Sequence, residues 1–183
     1  MQRRMAGFTV VELMITLVIG AILLAIAVPN FTSMVQASRA QSMADDFASA
    51  LNFTRTESLK LGAPVTICAS SNGSSCTGAW NEGWIIFQDY AATEKDAPVL
   101  AKNGVTNLLK ATGKAKLGSA IAVKSSGADQ TYIRFTRLGT LAKGDKTAGF
   151  DVDMKVTGCK GVNAKKVTVS LSGMVRIAPA ACE

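Results

Sequence analysis

The chain has 183 residues, 20 Lys and Arg against 13 Asp and Glu, a net charge of +7, and no histidine. With 48% apolar and 18% charged residues it is no disordered chain, and its length suits one domain with a core plus one appended element. The missing histidine excludes a Ser-His-Asp triad, His-ligated zinc and a histidine pH switch, while the positive charge leaves nucleic acid or an anionic surface open as a partner.

Mean hydropathy is +0.24, high for a chain with 16 glycines. The excess lies at one end. Residues 1–7 are short and basic through Arg3 and Arg4. Residues 8–28 then run apolar with a single charge, Glu12. At about 1.5 Å per residue, 21 residues of helix cross the hydrocarbon core of a bilayer. The flanking arginines predict a cytoplasmic N-terminus. Three readings fit this stretch. A secretory signal peptide would use Ala25-Ile26-Ala27 as its cleavage site. A plain membrane anchor leaves Glu12 unexplained, since a carboxylate in lipid costs about 3 kcal/mol or more. A cut after Gly7 would expose an α-amine on Phe8, with Glu12 about one helical turn away to neutralise such an amine, within one subunit or between packed subunits.

Beyond Pro29, which is expected to kink the helix without having to end it, apolar residues recur at Phe31, Met34, Val35, Met43, Phe47 and Leu51 with helical spacing. This predicts one helix over residues 8–61, stopped by Gly62 and Pro64, apolar all round in 8–28 and amphipathic in 29–61. From residue 62 the pattern turns β-like. Strands are predicted at 65–69, 84–88, 99–101, 120–124, 131–137, 150–156, 166–171 and 174–177. Tyr132, Arg134 and Thr136 alternate with Ile133, Phe135 and Arg137, and Val167, Val169 and Leu171 share a face. Leu171-Ser172-Gly173-Met174 reads as a tight hairpin turn. Residues 62–183 therefore form one antiparallel β domain.

Cys68, Cys76, Cys159 and Cys182 all follow the apolar segment, which places them outside the cytoplasm, where disulfides persist. Four cysteines allow three connectivities, of which the local pairs Cys68–Cys76 and Cys159–Cys182 are favoured. The first closes a short loop; the second ties down the C-terminus. No CxxC spacing supports a metal. Asp145, Asp151 and Asp153 lack an EF-hand pattern, so no cofactor is expected. No G-x-S-x-G, Walker loop or H-E-x-x-H points to an enzyme.

Gly7-Phe8-Thr9-Val10-Val11-Glu12-Leu13, behind a short basic leader, resembles the processing motif of type IV pilins and type II secretion pseudopilins. Trp80-Asn81-Glu82-Gly83-Trp84-Ile85-Ile86-Phe87-Gln88-Asp89 resembles the W-x-x-G-W-x-x-F-x-D segment of the GspH/FimT family, although its aromatics also read simply as core. The resemblance implies an α+β pilin-like fold, a long N-terminal helix packed on two antiparallel sheets. It implies cleavage between Gly7 and Phe8 by the prepilin peptidase, N-methylation of Phe8, and a role for Glu12 in filament packing. Processing would remove Arg3 and Arg4 and lower the net charge to +5. Minor pilins of the FimU kind also have a C-terminal disulfide, matched here by Cys159 and Cys182. The function implied is a minor pilin that joins other minor pilins, with the major pilin as a further partner, to prime type IV pilus assembly at or near the tip. The location implied is the bacterial inner membrane, with the β domain in the periplasm, and then the filament. A GspH-type pseudopilin of type II secretion shares motif and fold. A FimT-like DNA-binding role would rest on Lys160, Lys165, Lys166 and Arg176. Against it, Gly173-Met174-Val175-Arg176 has Met where the first Arg of Gly-Arg-x-Arg belongs.

Overall fold

The structure, a computed structural model, describes residues 9–114, 118–142 and 148–182. One helix, α1 (Val10–Leu61), holds 52 residues and is about 78 Å long. It runs through position 29 without interruption, so the proline does not end it. Thr9 caps the start. Gly62 stops the other end at φ 60°, a left-handed conformation that glycine adopts without strain, and Pro64 follows.

Eleven strands follow among the described residues. One sheet takes β1 (Val65–Ala69), β2 (Trp84–Gln88), β5 (Leu108–Thr112) and β8 (Tyr132–Phe135) in the order β5-β2-β1-β8. The second takes β6 (Ser119–Ser125), β7 (Ala128–Asp129), β9 (Phe150–Val156), β10 (Ala164–Val169) and β11 (Val175–Ala180) in the order β11-β10-β9-β6-β7. A ribbon of β3 (Ala101–Lys102) and β4 (Val105–Thr106) stands apart. Every pairing between these strands is antiparallel. The fold is α+β, one long helix on two antiparallel sheets, as the sequence resemblance implies.

The second half of α1 fills the space against both sheets. Ala40, Ala44, Ala48 and Ala50 bury small side chains and admit close approach of the strands, while Met43, Phe47 and Leu51 supply volume. Phe47 meets Trp80 and Trp84 edge-on, with ring centroids 5.4 and 5.2 Å apart. The strand β2 is buried on both faces. Trp84 and Ile86 turn to this core, whereas Ile85 and Phe87 pack with Cys68, Leu100 and Tyr132 on the far side.

Several strand bounds differ from the sequence pattern. The strand expected at 99–101 is the short β3. It turns into β4 through Asn103 and Gly104, both at positive φ (52° and 77°), the geometry of a two-residue hairpin. The 131–137 segment pairs only over β8. The 166–171 and 174–177 segments are shifted, and their connection spans residues 170–174 instead of a two-residue turn. Pro179 is tolerated because β11 is an edge strand. The strands β4, β5 and β7 were not expected. They are edge or ribbon strands, largely exposed, without a buried apolar alternation to mark them.

Phe47→Ala is expected to lower unfolding free energy by about 3–5 kcal/mol, because it empties the site between two tryptophans. Guanidinium unfolding of the full chain in detergent micelles, followed by tryptophan fluorescence, measures this. A loss under about 1 kcal/mol would contradict the packing described.

Candidate functional site

Among the described residues the first half of α1 is an extended unsatisfied apolar surface. Val10, Leu13, Met14, Leu17, Leu24 and their neighbours are exposed all round. An exposed apolar surface of this extent on a soluble protein marks an interaction or membrane site. The segment is long and apolar enough to cross a membrane. Sheet contacts begin only in the second half of the helix, where Ala40 is the first fully buried side chain.

Glu12 sits at the head of this rod. Its Oε2 accepts from the backbone N–H of Thr9 at 2.9 Å and from Thr9 Oγ1 at 3.0 Å, and its own N–H donates to Thr9 Oγ1 at 3.2 Å. This is a reciprocal capping box, which satisfies two of the orphan donors that open every helix. In lipid those donors have no water to turn to. The T-x-x-E spacing of Thr9 and Glu12 carries the signal of this box in the sequence. Gly7 and Phe8, the expected processing site, lie outside the described residues, as does Asp145.

The lower half of the chain fixes a rigid head on this rod. Cys68 bonds Cys76 with Cα atoms 5.5 Å apart and closes the loop after β1; Cys159 bonds Cys182 at 5.7 Å and holds the C-terminal strand to the β9–β10 loop. The Cys182 N–H also donates to the Gly161 carbonyl at 2.8 Å. A loop of the second length stabilises by about 3 kcal/mol in the chain-entropy description.

A buried ion pair was not anticipated as such. Asp89 ends the W-x-x-G-W-x-x-F-x-D segment, and Arg134 comes from β8. Arg134 Nε donates to Asp89 Oδ2 at 2.7 Å, and Thr66 Oγ1 donates to the same oxygen at 2.6 Å. The guanidinium also donates to the carbonyls of Thr93, Glu94 and Asp96, while Asp89 Oδ1 accepts from the N–H groups of Ala91 and Val99. Both side chains are almost fully buried and fully partnered. Together they pin the irregular segment 89–99 to the sheet. In the same motif Gly83 has φ 126°, and a Cβ there would overlap the carbonyl oxygen of Thr112. The motif thus requires glycine where two strands approach closely.

The basic residues considered for DNA do not form one patch. Lys166 and Arg176 share the outer face of the second sheet, but their register neighbours there include Asp153 and Asp151, and Lys166 Nζ pairs with Asp153 at 3.4 Å. Lys165, opposite Met154, turns to the other face, and Lys160 lies on the β9–β10 loop. Among the described residues no cluster of Cys, Asp and Glu is arranged to hold a metal ion.

An apolar helix standing clear of a helix-on-sheet domain defines a pilin-like subunit. Residues 43–173, more than half of the chain, match the family described as Type II transport protein GspH, and residues 2–28 match the prokaryotic N-terminal methylation motif. The chain belongs to the GspH family and is a minor pilin or pseudopilin. Its fold is similar to that of the type IV minor pilin FimU of Pseudomonas aeruginosa, with TM-score 0.56, 19% identity, and coverage of 78% of this chain and 90% of that one. It is also similar to the minor pseudopilin EpsH of the Vibrio cholerae type II secretion system, with TM-score 0.50, 15% identity, and coverage of 80% and 98%. At these identities the likeness is one of fold. The family is one of structural subunits, and the methylation motif with the apolar helix marks a membrane-anchored chain.

Two outcomes test this geometry. Arg134→Met is expected to cost about 3–5 kcal/mol, because Asp89 would be left buried without its partner, and to speed proteolysis within residues 89–99. Unchanged protection of that segment would show that the ion pair does not hold it. Alkylation of the unfolded full chain is expected to add label only after reduction, read by intact mass. Label on unreduced chain isolated from an oxidising compartment would contradict the two disulfides.

Proposed function

We propose that this protein is a minor pilin that joins other minor pilins in a complex that primes assembly of a type IV pilus, placed at or near its tip. The observation that carries the reading is the exposed apolar rod of residues 10–28, which only a bilayer or a bundle of like helices can cover. Before assembly the chain spans the inner membrane with residues 8–28, holds residues 62–183 in the periplasm, and loses residues 1–7 to the prepilin peptidase between Gly7 and Phe8. The amine left on Phe8, carrying a methyl group, then lies near Glu12. In the assembled filament the rods of neighbouring subunits replace lipid. The carboxylate of Glu12, which here caps its own helix, exchanges that role for the amine of an adjacent subunit.

Glu12 would then act as a registration device. In hydrocarbon its charge is tolerated only against a fixed partner, so one axial offset between neighbouring helices is favoured over all others. The sheets and loops supply lateral contacts to the other minor pilins and to the major pilin. The lysines and Arg176 named for DNA are interrupted by Asp151 and Asp153, which supports the packing reading over a phosphate-binding one.

Glu12→Ala is expected to lower the amount of this subunit in sheared filaments by about tenfold or more, while its level in the membrane stays near normal. Counting surface pili and blotting the sheared fraction checks both. Normal incorporation of the variant would remove Glu12 from the mechanism. Absence of the wild-type chain from pili, with a secretion defect on its deletion, would assign it to a type II secretion pseudopilus instead.

A further inference from the structure

The end of the β domain nearest the apolar rod carries a surface that the packing reading does not use. Gln36 Nε2 donates to the Gly158 carbonyl at 3.4 Å, which fixes the β9–β10 loop, residues 157–163, beside that turn of α1. Position 36 lies eight residues past Val28, about 12 Å further along the helix. The strand pairings give the same orientation. The β10–β11 hairpin loop lies at the far end, where Gly173 packs against Arg55, and β11 runs back from there to Cys182. The Cys159–Cys182 bond and the Cys182 N–H to Gly161 carbonyl bond then hold the loop rigidly at the near end.

This end is basic with an apolar point. Val162, at the crest of the loop, is 71% exposed, and Phe31 and Met34 on the intervening helix are 67% and 72% exposed. Lys160 on the loop, and Arg39 and Lys114 beside the same end of the helix, are exposed. Arg39 and Lys114 line one cleft together with Ser119, whose register partner Val156 immediately precedes the loop. Asp46 lines the same cleft as Arg39 and Lys114 and offsets part of their charge, Asp45 precedes it on the helix, and Asp153 stands further along β9 from the loop. Asp153 is paired with Lys166. Glu183, next in sequence to Cys182, lies outside the described residues.

We propose that this end of the domain is a lipid-contact surface. It rests on the headgroups of an anionic bilayer leaflet while the subunit waits in the membrane. The dimensions favour a bilayer over any other occupant. The hydrocarbon core is about 30 Å thick and the whole bilayer about 40–45 Å, so the headgroup layer ends within several ångströms of the loop, inside the reach of lysine and arginine side chains. The apolar rod fixes the periplasmic leaflet directly below the loop, and basic groups within about a Debye length of a leaflet that carries anionic lipid are drawn to its headgroups. The contact holds the long helix at a defined tilt and presents the rest of the domain to incoming subunits. It is given up when the subunit leaves the membrane. The proposal rests on residues 8–28 spanning the bilayer, as set out above.

Hydrogen exchange on the full chain in nanodiscs of phosphatidylglycerol, nanodiscs of phosphatidylcholine and detergent micelles separates the two readings. Amides 10–28 report the span and amides 157–163 the surface. The expected result is exchange in 157–163 about fivefold slower in phosphatidylglycerol than in the other two, with the difference lost in Lys160→Glu and in Val162→Asp. Both positions are exposed, so these variants keep the fold. Equal exchange of 157–163 in all three, with 10–28 protected in both nanodiscs, overturns this proposal and leaves the span intact. Loss of protection at 10–28 in both nanodiscs overturns the span itself. Protection of 157–163 by duplex DNA in micelles, with none from phosphatidylglycerol, overturns the proposal and gives the basic groups to nucleic acid.

Discussion

Everything in this molecule is arranged around one helix that its own chain can cover only in part. α1 is about 78 Å long, and the β domain reaches only its second half. A helix exposed on all sides is not held by tertiary packing there, so its integrity depends on intrinsic propensity, on its cap and on what surrounds it. The first half carries many β-branched Val and Ile, which add little propensity, so it leans on its surroundings and on the Thr9–Glu12 box that closes its open end. The second half solves the opposite problem. A stripe of alanines sinks between two sheets, and Phe47 locks it against Trp80 and Trp84.

That division explains why the domain is so heavily stapled. A rod that leaves its protein has leverage on it, and the residues nearest the exit are the last to be packed. At that end the structure places the Cys159–Cys182 bond and the Gln36 contact. At the far end the hairpin turn packs on the turn after β8, glycine against glycine, and the two meet α1 at Arg55 and Leu59. Gly173 has φ 80°, and a Cβ there would overlap the Gly139 carbonyl. Both ends of the sheet are thus fixed to the helix, the near one by a disulfide and a hydrogen bond and the far one by a close approach that a larger side chain at position 173 would spoil.

The helix and its apolar half were legible because their signals are long and periodic. A run of 21 apolar residues and a repeat of three and four spacings survive any local irregularity. The central strands β1, β2 and β9 were legible to the residue for the same reason, since burial on one or both faces leaves an apolar pattern. Of the ribbon only β3 was announced, by the apolar run at 99–101, and β4 and β5 were not, because an exposed edge has little reason to be apolar. The capping box was written plainly as Thr9 and Glu12, yet a carboxylate in an apolar run draws attention to intersubunit charge first. The Arg134–Asp89 pair was out of reach for a different reason. Its members are 45 residues apart, and only the strand order β2-β1-β8 brings them together across Thr66.

That pair also bears on how such a subunit could be told apart from its neighbours. Apolar helices packing in a low-dielectric bundle gain from shape and small residues, and discriminate weakly between similar partners. Selectivity then has to come from the loops of the head, where a clash or an unpaired charge can reject the wrong neighbour. A loop can do so only if it keeps one shape. A buried ion pair is seldom the most stable way to fill a core, but it is directional. Here five of its hydrogen bonds go to the backbone of residues 91–99, and they hold an irregular segment that has few apolar side chains of its own to anchor it. The W-x-x-G-W-x-x-F-x-D segment therefore serves both demands at once. Its aromatics seat the long helix, and its terminal aspartate fixes the loop that follows.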